Sequence, residues 1–82
     1  MAIETIAVGT EPTLLTEATD FIFQNRFNYQ IFIALTEDLT QPDKSDYIFF
    51  LNPGQGMDEE DMPMNVWAWT QSGEITMKIW ER

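Results

Sequence analysis

The chain has no cysteine and no histidine, and its only two serines, Ser45 and Ser72, lie in turn-like stretches. Without cysteine there are no disulfides, and without cysteine or histidine the usual zinc sites are missing. The commonest general base and the commonest nucleophiles are missing with them. Basic residues are equally scarce: Arg26, Lys44, Lys78 and Arg82 stand against fourteen acids, for a net charge of −10. That balance opposes binding to a phosphate backbone, which needs clustered Lys and Arg, and it opposes docking on an anionic membrane. Neither a nucleic-acid nor a membrane partner is expected. The longest apolar runs, 31–35 and 47–51, are five residues each, far short of a membrane span. The first residues carry neither a basic region nor an apolar stretch, so no secretory signal is expected.

What the chain has in abundance is aromatic surface. Eleven aromatic residues, three of them Trp, occur in 82. Large aromatics supply buried contact area and interface anchors, so the composition suits adhesion better than reaction. Residues 1–82 are long enough for one domain, which buries only about 60–65% of its unfolded surface. Domains of this size are commonly supported by disulfides, metals or oligomerisation. With the first excluded and the second lacking its usual ligands, association with further copies is the remaining common route.

Period-two alternation and turn residues divide the chain into short strands. Residues 3–8 form a candidate first strand before Gly9 and Pro12. The stretch 14–20 is ambiguous between a short strand and a helical turn. Strands are expected at 21–25 and 29–36, then a polar loop around Pro42, then an apolar strand at 47–51. Asn52-Pro53-Gly54 is a strong turn signal, because Pro presets φ and Gly permits φ > 0. Residues 55–64 read as an acidic loop. The segments 66–70 and 74–80, joined through Gln71-Ser72-Gly73, read as a β-hairpin. The fold class is all-β, a compact β-sandwich or small barrel of about six to seven short strands.

The C-terminal pair of strands carries an asymmetry. Ile75, Met77 and Ile79 share one face of the last strand and Thr76, Lys78 and Trp80 the other. In the preceding strand Val66 and Ala68 oppose Trp67 and Trp69. If the aliphatic faces form the core, the three Trp lie on non-core faces and mark a contact surface. The alternative puts Trp67 and Trp69 inside. Alternation sets the parity but not which face is inward, so both remain open. The candidate interface residues are Trp67, Trp69, Trp80 and Phe32, the last on the face opposite Ile31 and Ile33.

No constellation with catalytic spacing emerges. Asp58-Glu59-Glu60-Asp61 is the one dense set of carboxylates, but its contiguous spacing matches no Ca²⁺ loop, and a solvated tip is the expectation. Gly54 and Gly56 are followed by no Lys and build no phosphate cradle. No catalytic residue, cofactor or metal site is expected, and the chain reads as a non-enzyme. Met57, Met62 and Met64 flank the acids and suit either a binding surface, for which Met is well adapted, or a segment folding back over the sheet through its apolar residues.

Taken in order, a strand ending in Gln24-Asn25, the strand 29–35, a loop at Pro42, Leu51-Asn52-Pro53-Gly54, Val66-Trp67-Ala68 and a Gly turn into 75–79 resemble a group of small bacteriophage structural proteins. The resemblance spans roughly residues 14–80. It departs at Trp69, where an Arg is common, and in the longer, more acidic connection through residues 57–64. It implies a β-sandwich-like virion component without enzymatic activity. A capsid decoration or cement protein is the first expectation, assembled in the host cytoplasm, with copies of itself (a trimer or other homo-oligomer) and the capsid shell as partners. A tail or fibre adaptor, or a soluble carbohydrate- or peptide-binding β-module, are the rivals.

Overall fold

The computed structural model describes residues 2–81. Eight strands follow one another: β1 (Ala2–Val8), β2 (Thr13–Thr16), β3 (Phe21–Gln24), β4 (Ile31–Thr36), β5 (Phe49–Leu51), β6 (Gly56–Glu59), β7 (Asn65–Thr70) and β8 (Ile75–Glu81). One 3₁₀ turn, Lys44–Asp46, interrupts them. The strands form two antiparallel sheets of four, sheet 1 in the order β1-β8-β3-β6 and sheet 2 in the order β2-β7-β4-β5. Each sheet keeps two edges, so the molecule is a two-layer sandwich and not a closed barrel. The all-β class therefore holds, with eight strands in place of the six to seven expected.

The extra strand is β6, inside the stretch 55–64 whose composition predicts a loop. Gly, Asp and Glu are poor strand formers. Two contacts override that preference. Met57 pairs with Phe23 and sinks into the core. Gly56 pairs with Gln24 at a point where any Cβ would lie 2.3 Å from the Phe23 carbonyl oxygen, so only glycine lets β6 approach β3 there. The segment beyond is held as well. Asp61 N–H donates to Asp20 Oδ1 and Met62 N–H to the Thr19 carbonyl, while Met62 packs against the core. The Met residues thus do fold this segment back, whereas Asp58 and Glu59 belong to a strand and not to a loop tip.

Consecutive strands change sheet at every step except from β4 to β5. The expected hairpin over 66–80 is accordingly not one: β7 pairs with β2 and β4, and β8 pairs with β1 and β3. The turn between them carries the chain from one layer to the other. Gly73, at φ +82, supplies the left-handed residue, and the Thr70 hydroxyl donates to the Gly73 carbonyl. The alternation that suggests a hairpin suits this arch equally well. Val66 and Ala68 face Ile75, Met77 and Ile79 across the core rather than beside them.

That core lies between the sheets. Val8, Phe21, Phe23, Met57, Ile75, Met77 and Ile79 enter it from sheet 1, and Leu15, Ile31, Ile33, Leu51, Val66 and Ala68 from sheet 2. A register shift between Leu14 and Thr16 inserts Leu15 as an extra residue, so that Leu15 and Thr16 are both buried beside an outward Leu14, which is why 14–20 lacks a clean period.

One buried polar residue joins the layers. Asn25, fully buried, donates to the carbonyls of Tyr29 and Leu51 and accepts from Phe27 N–H. Its own backbone receives Gly54 N–H and donates to the Gln55 carbonyl. The turn it grips closes between the Gln55 N–H and the Asn52 carbonyl, with Gly54 at φ +89, as Pro-Gly chemistry predicts.

Candidate interaction surface

Because the inward faces of both sheets are consumed by the core, any binding surface lies on their outer faces, edges or loops. The two outer faces differ.

On sheet 2, β7 is an interior strand, and its outward residues are Trp67 and Trp69. Trp67 sits between Leu14 of β2 and Ala34 of β4, and Trp69 lies opposite Phe32 and stacks on it with ring centroids 5.9 Å apart. Phe32 in turn meets Tyr47 and Phe50 edge-on, at 5.3 and 6.4 Å. These residues form a second small cluster, separate from the core between the sheets. Trp67 is only 7% exposed and Trp69 only 3%.

Strands cannot bury an outer face by themselves, so a cover is needed, and the β4–β5 connection supplies it. It leaves β4 at Thr36, whose hydroxyl accepts the Trp67 Nε1–H at 2.7 Å. It then reaches to the β2 side of β7, where Gln41 Nε2 donates to the Pro12 carbonyl and Lys44 Nζ lies 3.3 Å from Glu11 Oε1. It returns to lay Tyr47 on Phe32. Asn65 Nδ2 donates to the Asp38 carbonyl near its start. The Pro42 loop is therefore a strap across the Trp face. Both faces of β7 are buried, one by the opposite sheet and one by this strap, so neither of the two assignments left open by its alternation is sufficient. Trp67 and Trp69 are not available as an exposed cluster with Trp80, which lies on the other sheet. The large apolar residues still exposed on this side include Leu39 of the strap and, by β5, Tyr47, Ile48 and Phe50.

On sheet 1, among the described residues, large apolar side chains of the outer face stay exposed. Register places Ile3 of β1, Trp80 of β8, Ile22 of β3 and Asp58 of β6 in one row. Ile3 is 57% exposed, Trp80 45% and Ile22 37%. Three large apolar side chains thus stand side by side in solvent, at sites where a β-strand's outer face ordinarily carries polar residues. Alternation reveals Ile22 and Trp80 as outward residues. It does not reveal that Ile3 adjoins them, because that contact comes from pairing the first strand with the last.

The same face carries a cleft of about 530 Å³. β3 and β8 pair only at Phe21 with Glu81 and Ile22 with Trp80, and then separate. Phe23, Gln24 and Arg26 line one side of the opening, and Met77 and Lys78 the other. Phe27, packed against the core, lies in it. Two of the chain's four basic residues therefore flank an apolar cleft. Among the described residues neither Arg26 nor Lys78 has an ion pair, whereas Lys44 is engaged with Glu11.

Among the described residues no three carboxylates are grouped to hold a metal ion, and no buried side-chain nitrogen or oxygen lacks a hydrogen-bond partner. The buried polar residues Thr16, Asn25 and Thr70 are all engaged in holding turns and strands together. Among the described residues no helix is long and apolar enough to cross a membrane. In comparisons with known proteins, no family model, no curated protein and no solved structure matches this chain.

Proposed function

We propose that the protein is a non-catalytic adhesion module that docks through the outer face of sheet 1, and that its setting is a bacteriophage virion. The observation that carries the docking face is the exposed row Ile3–Trp80–Ile22 beside a cleft flanked by cations. Burying such a row against a partner removes apolar area from water and gives Trp80 the environment typical of an interface anchor. The virion setting rests on the ordered motifs of the sequence. A capsid decoration or cement protein, present as a homo-oligomer and bound to the shell, is the form this reading takes. The net charge of −10 keeps such a subunit soluble and suits the outside of a particle, away from packaged DNA.

The test is co-purification. The protein expressed with a candidate shell should sediment with assembled particles in many copies, and the Trp80→Ala variant should remain in the supernatant. Absence of the wild-type protein from particles would refute the virion setting. Equal retention of wild type and variant would refute the docking face.

A further inference from the structure

The cleft between β3 and β8 differs from an ordinary surface hollow in having strand edges for walls. Beyond Ile22 and Trp80, the residues of β3 continue to pair with β6, Phe23 with Met57 and Gln24 with Gly56. The residues of β8 continue to pair with β1, Lys78 with Thr5, Met77 with Ile6 and Thr76 with Ala7. Each strand is thus bonded on its far side and has no ladder partner across the gap. The opening is closed at one end by the Ile22–Trp80 pair. At the other lies the turn after Asn25, where Phe27 stacks with Tyr29 and the Tyr29 hydroxyl comes close to Gly73. Gln24 and Arg26 on one wall and Thr76 and Lys78 on the other are exposed along it, a length of about 10 Å.

A strand edge open to solvent recruits an extended peptide, whose main chain pairs with it and whose alternate side chains enter the adjoining pocket. Charge then selects among peptides. Arg26 and Lys78 stand on opposite walls without ion pairs among the described residues, in a chain that is otherwise strongly acidic. A basic segment would meet two like charges at the cleft and an acidic one two opposite charges.

We propose that this cleft binds an acidic, extended peptide segment of a partner protein, an apolar side chain lodging beside Trp80 and Phe27 and carboxylates meeting Arg26 and Lys78. The inference rests on the reading of sheet 1 as the docking face and names the chemistry of what docks there.

The probe is a fluorescent octapeptide of alternating Glu and Val, with a Lys and Val peptide of equal length as control. Fluorescence anisotropy against the intact protein should show saturable binding of the Glu peptide only, weakening with added salt. The Arg26→Gln, Lys78→Gln double variant should bind it about tenfold more weakly or worse. Both positions are exposed, so this variant folds, and an unchanged thermal transition verifies it. Equal binding by the double variant, equal binding of the Lys peptide, or no binding would each overturn the proposal. Should the Glu peptide fail to bind while the double variant loses self-association, the occupant is a second copy of this chain and the peptide assignment is wrong. If the double variant behaves as wild type in every assay while Trp80→Ala abolishes association, the acidic-peptide inference fails and the docking face stands.

Discussion

Two outer faces of one sandwich carry the three Trp residues, and they use them in opposite ways. On sheet 2, Trp67 and Trp69 lie under the chain's own β4–β5 strap, so their burial contributes to the stability of the single chain. On sheet 1, Trp80 stands in solvent between Ile3 and Ile22. The difference is not in the strands, which alternate alike. It lies in whether a connection crosses the face. The strap exists because β4 and β5 are the one consecutive pair that stays in the same sheet, and a twelve-residue connection (residues 37–48) between adjacent strands must lie somewhere. Every other connection is consumed in passing between layers. A Trp in an outward strand position is therefore an interface anchor only when no loop covers it.

Substitutions can break this contrast. The largest effect is expected at Trp69. Replacing it with Ala removes a ring stacked on Phe32 beneath the strap and should lower unfolding free energy by about 3–5 kcal/mol in denaturant titration. A change below about 1 kcal/mol would mean the strap does not bury it. Next is Gly56→Ala, which perturbs sheet 1 without touching any Trp. A Cβ directed at the Phe23 carbonyl forces β6 away from β3, and a loss of about 1–3 kcal/mol is expected by the same titration. Unchanged stability there would show that the β3–β6 register is not as described.

A smaller effect is expected from loosening the strap. Gln41→Ala removes its bond to the Pro12 carbonyl and should cost about 1 kcal/mol. Lys44→Ala should cost less, because the pair with Glu11 is exposed to water. The sharper reading for both is Trp fluorescence. Acrylamide quenching should rise as Trp67 and Trp69 become accessible, and an unchanged quenching profile in the double variant would show that the loop is not their cover.

Much of the sandwich was legible because its strands are short, alternating and bounded by Gly and Pro. The Asn52-Pro53-Gly54 turn follows from backbone chemistry alone, and alternation groups Ile75, Met77 and Ile79 on one face, although only the structure shows that this face is the inward one. Three features were not legible, each for a physical reason. β6 is a strand because Met57 and Gly56 fit against Phe23, a tertiary contact that outweighs the local propensity of Asp and Glu. The β7–β8 arch shares its alternation with a hairpin, so periodicity does not distinguish them; only the choice of partners, β1 for β8 and β2 and β4 for β7, does. The burial of Trp67 and Trp69 depends on the path of a polar loop whose composition says nothing about where it lies.

The motifs on which the proposed virion setting rests acquire a local explanation. Gln24-Asn25 and Asn52-Pro53-Gly54 are far apart in sequence and bonded in space. Gln24 Nε2 donates to the Gly54 carbonyl and Asn25 Nδ2 to the Leu51 carbonyl, while Gly54 N–H returns to the Asn25 carbonyl. They form the joint that locks β3 of sheet 1 to the end of β5 in sheet 2. Val66-Trp67-Ala68 is the central strand of sheet 2, shared between core and strap. These residues specify how the layers are held. The proposed contacts with a partner fall on other residues, Ile3, Ile22 and Trp80, which belong to none of those motifs.

The decisive comparison sets Trp80→Ala beside Trp69→Ala, measuring stability by denaturant titration and association by sedimentation at micromolar concentration. Docking through sheet 1 predicts that wild type self-associates and that Trp80→Ala weakens association by about 2–4 kcal/mol while changing stability by less than about 1 kcal/mol. Trp69→Ala should do the reverse, losing stability but associating normally wherever it remains folded. A Trp80→Ala protein that associates as tightly as wild type would contradict the assignment of sheet 1 as the docking face.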